Sequence, residues 1–176
     1  MFVPVLLCAV SALLVLNLVL TYGALRRLRE HAQLLNPDQG PAIKAAGETV
    51  SDFAASTVDA ATLTAADLGA GTLIGFFTPG CEPCREMLPK FARVAAAHAA
   101  GRTGVVAVLV GDEETTADDA RMLASVAQVV VASRAAPIVA AFAVQAYPSI
   151  CTMGDRGRIA ALGLPAAEPV HVGAAA

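Results

Sequence analysis

The chain has 176 residues and a formal net charge of −3, and its one basic run, Arg26, Arg27 and Arg29, directly follows an apolar stretch. This balance gives no support for nucleic-acid binding. Without the apolar N-terminal stretch and the juxtamembrane residues after it, roughly 130 residues remain, a common size for one domain with a full core.

Residues 2–22 form an almost unbroken apolar run without charge, long enough at about 20 residues to cross a bilayer as a helix. A cleavable secretory signal calls for a basic start and a shorter apolar core, whereas this chain begins Met1-Phe2-Val3-Pro4, so the segment is expected to remain as an anchor. Cys8 has too little apolar sequence before it for a lipoprotein acceptor and reads as a small hydrophobe within the anchor. Pro37-Asp38-Gln39-Gly40-Pro41 breaks whatever helix leaves the membrane and acts as a linker. The expected organisation is an anchor over 1–24, a juxtamembrane helix and linker over 25–46, a folded domain over 47–163 and a flexible tail over 164–176.

Within the domain, Thr72-Leu73-Ile74-Gly75-Phe76-Phe77 is short, apolar and partly β-branched or aromatic, the pattern of a buried strand. Cys81-Glu82-Pro83-Cys84 comes next, and residues 85–100 are rich in helix formers. A thiol at a helix N-terminus is favoured as the anion, which is the attacking species. A second thiol one helical turn on can attack the resulting mixed disulfide, so Cys81 is the candidate nucleophile and Cys84 the candidate resolving thiol. Pro83 pre-sets a helical φ where its missing N–H costs little. Glu82 disfavours the thiolate and Arg85 favours it, so these residues tune the pair, with Glu82 arguing for a reductant or isomerase over a strong oxidant. The competing reading of a CxxC is half of a zinc site, but the chain has no second CxxC or CxxH, and His31, His98 and His171 are scattered.

Further along, 105–110 reads as a buried strand, 115–127 as a helix carrying Asp118 and Asp119 in its first turn, and 128–132 as a short strand. Gly111-Asp112-Glu113-Glu114 reads as a solvated helix cap in preference to a metal loop. Residues 137–142 lead into a strand-like run containing Pro148, where a proline marks an edge, a bulge or a cis peptide bond. Residues 158–163 close a hairpin.

Several of these pieces together resemble the thioredoxin superfamily. They are Gly75-Phe76-Phe77-Thr78-Pro79-Gly80-Cys81-Glu82-Pro83-Cys84-Arg85 with Pro89 in the helix, then Tyr147-Pro148-Ser149, then the turn Gly154-Asp155-Arg156-Gly157. Within the superfamily the chain is most similar to membrane-tethered TlpA/ResA-like disulfide reductases and redoxin-type methylamine dehydrogenase accessory proteins. The resemblance implies an α/β fold, a central mixed sheet flanked by helices, preceded here by one transmembrane helix. It further implies that Pro148 is a cis-proline facing the Cys81–Cys84 disulfide, that Tyr147 flanks the substrate groove, and that Pro89 kinks the first helix. Cys151 reads as a core strand residue rather than a third redox thiol.

Three departures stand out. Gly75 occupies the place where thioredoxins proper carry a buried aspartate that moves the resolving thiol's proton, so another base, water or Glu82, is needed. Gly80 stands where an indole usually precedes the nucleophile. The segment from Pro165 onward holds too many prolines and glycines for the usual terminal helix.

The expected activity is that of a membrane-tethered thiol-disulfide oxidoreductase acting on protein thiols and disulfides, in exported proteins or cytochrome-maturation clients. It needs an electron donor, and no cofactor or metal beyond the Cys81–Cys84 couple. The arginines after the apolar run argue for a cytoplasmic domain, whereas the resembling families work outside the membrane, where disulfides persist; the extracytoplasmic side is expected. Two alternatives stay open: a thiol peroxidase using Cys81 with Thr78, and a copper or assembly chaperone using the two thiols as ligands.

Overall fold

The computed structural model describes residues 42–165. The expected anchor over 2–22 and the tail from 166 lie outside the described residues. Among the described residues no helix is long and apolar enough to cross a membrane.

The core of the domain is a five-stranded sheet in the order β5-β4-β3-β6-β7. Strands β3 (Leu73–Phe77), β4 (Val105–Val110) and β5 (Gln128–Ala132) are mutually parallel, and β6 (Ser149–Met153) and β7 (Ile159–Leu162) return antiparallel. Parallel neighbours require crossovers, supplied by helix α1 (Glu82–Ala96) between β3 and β4 and helix α2 (Glu113–Leu123) between β4 and β5. Every residue of β3 and β4 is buried, which is why both read as unbroken apolar runs: these strands are covered on two faces. A separate antiparallel pair, β1 (Ala54–Ser56) and β2 (Thr62–Thr64), flanks the sheet, and a short helix, α3 (Pro137–Ala141), precedes β6.

Alternation along the strands divides the core. Leu73, Phe77, Val105, Ala107, Leu109 and Ile150 meet Cys84, Leu88, Phe91 and Ala95 of α1 and Leu123 of α2. Ile74, Phe76, Val106, Val108, Val130, Cys151 and Met153 meet α3, Phe53 and Phe142 on the other face. On the α1 side, small residues in the middle of the sheet make room for aromatic rings. Gly75 pairs with Ala107, and a Cβ at Gly75 would lie 2.6 Å from Phe77 Cε2 and 2.7 Å from Phe91 Cε2. Phe77 and Phe91 pack edge-on at 5.1 Å in the space so left.

The structure adjusts several expectations. Residues 42–46, assigned above to the linker, belong to the folded domain: Ile43 is buried in the core, and the Lys44 N–H donates to Phe142 O at 2.9 Å. Helix α1 starts at Glu82 with Cys81 as its N-cap, and stops at Ala96, short of the run of helix formers that continues to 100; past Ala96 the chain turns so that His98 Nε2 lies 3.0 Å from Gly71 O. Pro89 lies inside α1, where the resemblance puts it. Helix α2 starts at Glu113 because the Asp112 carboxylate accepts from the Thr115 N–H at 2.8 Å, so its first-turn acids are Glu113 and Glu114 in place of Asp118 and Asp119. Strand β7 is the last element among the described residues, and Leu164 packs onto the α1 side of the core.

Candidate active site at the start of α1

Because β3, β4 and β5 run parallel, their C-terminal ends share one end of the sheet, and antiparallel β6 begins there. Loops after parallel strands at this end are where α/β sheets place ligands. The loop after β3 carries Cys81, the loop after β5 carries Arg134, and the approach to β6 carries Tyr147 and Pro148.

Cys81 is the N-cap of α1, with extended backbone (φ −89, ψ 112), and its sulfur accepts from the Cys84 N–H at 3.2 Å. Glu82 and Pro83 fill the first turn, Pro83 donating no N–H where none is needed. Cys81 and Cys84 are joined as a disulfide with Cα atoms 5.2 Å apart, ordinary spacing for such a bond. Cys81 is half-buried and Cys84 is 1% exposed, so an incoming group meets Cys81 first. Gly80 takes φ +74 just before the nucleophile position, with nothing within 4 Å of where a Cβ would be. A left-handed turn therefore stands where an indole was the family expectation.

Glu82 and Arg85 form an ion pair on the exposed flank of α1. Their opposing influences on the sulfur are thereby largely spent on each other. The remaining polar neighbours compete. The Cys84 N–H favours an anionic Cys81 sulfur, whereas the Tyr147 carbonyl oxygen, 3.6 Å from Cys81 Sγ, accepts from a thiol and repels a thiolate.

The Tyr147–Pro148 peptide is cis. The loop that carries it is tied down by Ala42, whose carbonyl accepts from the Gln145 N–H at 2.8 Å and from Ser149 Oγ at 3.2 Å, and Ser149 Oγ also lies 2.7 Å from Ala146 O. The Tyr147 N–H meets no acceptor among the described residues. The Tyr147 ring lies under the guanidinium of Arg134, 5.8 Å from Cζ to the ring centroid. Burial pushes its phenol above the usual range, with Arg134 partly opposing.

The structure thus brings Cys81, Cys84, Glu82, Pro83, Arg85, Tyr147 and Pro148 to one end of the sheet. Cys151 lies apart. It pairs with Ile74 on the opposite face, 0% exposed, and burial pushes its thiol up to about 12. No buried acid underlies Cys84: the place the family gives to an aspartate is filled by the Phe77–Phe91 pair, and the buried polar residues among those described are Thr57, Thr72, Thr116 and Ser149. Thr78 Oγ1 donates to Val110 O at 2.8 Å, pinning the loop to β4. No group of three or more His, Cys, Asp or Glu side chains gathers among the described residues.

Comparison of this architecture with solved structures gives confident matches. The thioredoxin domain of a thiol-disulfide oxidoreductase from Bacteroides vulgatus superposes with a TM-score of 0.57 at 18% identity, over 70% of this chain and 91% of that one. The chain has the thioredoxin fold. StoA from Bacillus subtilis matches with a TM-score of 0.53 at 18% identity, over 65% of this chain and 87% of that one. A secreted Mycobacterium tuberculosis disulfide oxidoreductase homologous to E. coli DsbE matches with a TM-score of 0.51 at 23% identity, over 61% of this chain and 79% of that one. No protein-family model and no curated protein matches the sequence.

Arg134 and the Phe77–Phe91 pair escape sequence reasoning. Arg134 is a loop arginine far along the chain from Cys81 and Cys84, with no motif to mark it. The glycine at 75 is a visible signal, but the group that fills the vacated space depends on a helix packing across the sheet.

Proposed function

We propose that this chain is a membrane-tethered thiol-disulfide oxidoreductase of the TlpA/ResA-like kind, acting as a disulfide reductase or isomerase on the extracytoplasmic side. The observation that carries the reading is the disulfide Cys81–Cys84 at the head of α1, with the outer sulfur half-exposed beside the cis-proline loop. The thioredoxin fold shared with oxidoreductases supports it. The apolar run over 2–22 supports tethering.

In the reductive direction the Cys81 thiolate attacks a client disulfide, forming a Cys81–client bond and releasing one client thiolate. The Cys84 thiolate then attacks Cys81 sulfur, closing the Cys81–Cys84 disulfide and releasing the second client thiolate. Two electrons pass to the client, and a separate dithiol donor must restore the pair. Pro148 shapes the groove and the backbone at Tyr147 pairs with the client chain, a role suited to its unpartnered N–H. The Tyr147 carbonyl oxygen beside Cys81 Sγ keeps thiolate stabilisation modest, which favours a reducing over an oxidising couple.

Incubation of the reduced chain with a disulfide-containing protein tests this. One client disulfide is expected to be lost per chain oxidised, and Cys84→Ser is expected to stall as a covalent adduct through Cys81. Absence of both, with hydroperoxide consumption that survives loss of Cys84, would replace this reading with the peroxidase. The Thr78 hydroxyl, committed to Val110 O, gives that alternative little help.

A further inference from the structure

We infer that Arg134 selects clients, favouring a disulfide whose reactive cysteine has a carboxylate within a residue or two; this rests on the oxidoreductase reading above. Tyr147 connects the cysteine pair to the arginine. Its carbonyl oxygen lies 3.6 Å from Cys81 Sγ, and its ring carries the Arg134 guanidinium at 5.8 Å. The stacked ring holds the cation at the groove wall, where a freely swinging side chain would spend its time in solvent.

Arg134 is exposed and forms no ion pair among the described residues. The other charges at this end are mostly occupied. Glu82 is paired with Arg85, and the Asp112 carboxylate is held by the Thr115 N–H and hydroxyl at the start of α2. Glu113 lines a cavity of about 440 Å³ bounded by Val58, Thr116 and Val131, beside β5, and Glu114 is exposed on the first turn of α2. The charge held against the Tyr147 ring is therefore a cation with no ion-pair partner among the described residues. A client segment lying along the Tyr147 backbone passes this guanidinium, whose planar donor fork suits a carboxylate. A lysine or arginine at the same client position meets repulsion, so the arginine also rejects.

Two symmetric peptide disulfides test it, each a homodimer of one short peptide, with Glu on both sides of the cysteine in one and Gln in the other. The full chain, pre-reduced and freed of reductant, is mixed with each in single turnover. One peptide disulfide becomes two thiols as Cys81 and Cys84 close their own. Dividing each rate by the rate with dithiothreitol removes the effect of the carboxylates on the peptide sulfur itself. The normalised rate is expected to favour the Glu dimer by about 2- to 5-fold, the size of an exposed ion pair, and the preference to shrink in high salt. Arg134→Lys is expected to keep the sign of the preference and Arg134→Glu to reverse it. Equal ratios in the wild type and Arg134→Glu would overturn the inference while leaving the oxidoreductase reading intact. Failure of every form to reduce either dimer would overturn both.

Discussion

Cys84 and Cys151 are almost equally buried, 1% and 0% exposed, on opposite faces of one sheet, yet only one has a redox partner. Cys84 sits in the first turn of a helix, with its N–H on the sulfur of Cys81. Cys151 sits mid-strand opposite Ile74, among apolar side chains with no second thiol. Burial is common to both, and the difference lies in the group that the backbone puts next to the sulfur. A helix start brings a sulfur three positions away within bonding reach, while a strand sends its neighbours to the other face.

The comparison breaks most visibly in activity. Cys84→Ala is expected to drop disulfide turnover to background, while Cys151→Ala keeps it within about twofold and costs only about 1–2 kcal/mol of stability, as read by a turnover assay and urea denaturation of each variant. If Cys151→Ala loses turnover with its fold intact, the two thiols are not functionally separate.

The helix-side face has its own weak point. Gly75→Ala places a methyl 2.6 Å from Phe77 Cε2 and 2.7 Å from Phe91 Cε2, and overpacking of this kind costs about 1–3 kcal/mol. Thermal unfolding should show the loss, with partial recovery on adding Phe91→Leu.

The opposite face is distinguished by pH. The Cys151 thiol moves from 9.0 to about 12 on folding. Between those values the unfolded chain has released the proton and the folded chain holds it, so stability falls as pH rises, by up to about 1.4 kcal/mol per pH unit. The raised Tyr147 phenol adds a loss of the same sign at the alkaline end. In the oxidised protein Cys81 and Cys84 do not titrate, so Cys151→Ala should flatten most of the slope seen by denaturation above pH 9. The smallest expected effect is a gain. Ala143 takes φ +49 at the end of α3, and Ala143→Gly should stabilise the chain by about 0.5–1 kcal/mol, because a left-handed alanine is strained. The denaturation midpoint checks it.

Legibility in the sequence divides along physical lines. The strands at 73–77, 105–110 and 128–132 show themselves as short apolar runs because each packs apolar side chains on both faces of the sheet, even β5 at its edge. The CxxC, the proline at 148 and the glycine at 75 carry their chemistry locally. Helix ends are less visible: the alanine run 95–97 offers no stop signal, and the turn at His98 is held by Gly71, far away in sequence. The β1–β2 hairpin escapes notice because Thr57-Val58-Asp59-Ala60-Ala61 has neither a turn dipeptide nor apolar alternation around it. Residues 42–46 look like linker, yet Ile43 fills the core and the Ala42 carbonyl holds the cis-proline loop, contacts only the assembled fold creates.

The most direct test is a glutathione redox titration of the full chain, with thiols trapped at each potential and mapped by peptide mass. The predicted result is one reversible two-electron couple linking Cys81 to Cys84 near or below roughly −200 mV, with Cys151 a free thiol throughout. No reversible disulfide, or one that includes Cys151, would contradict the account.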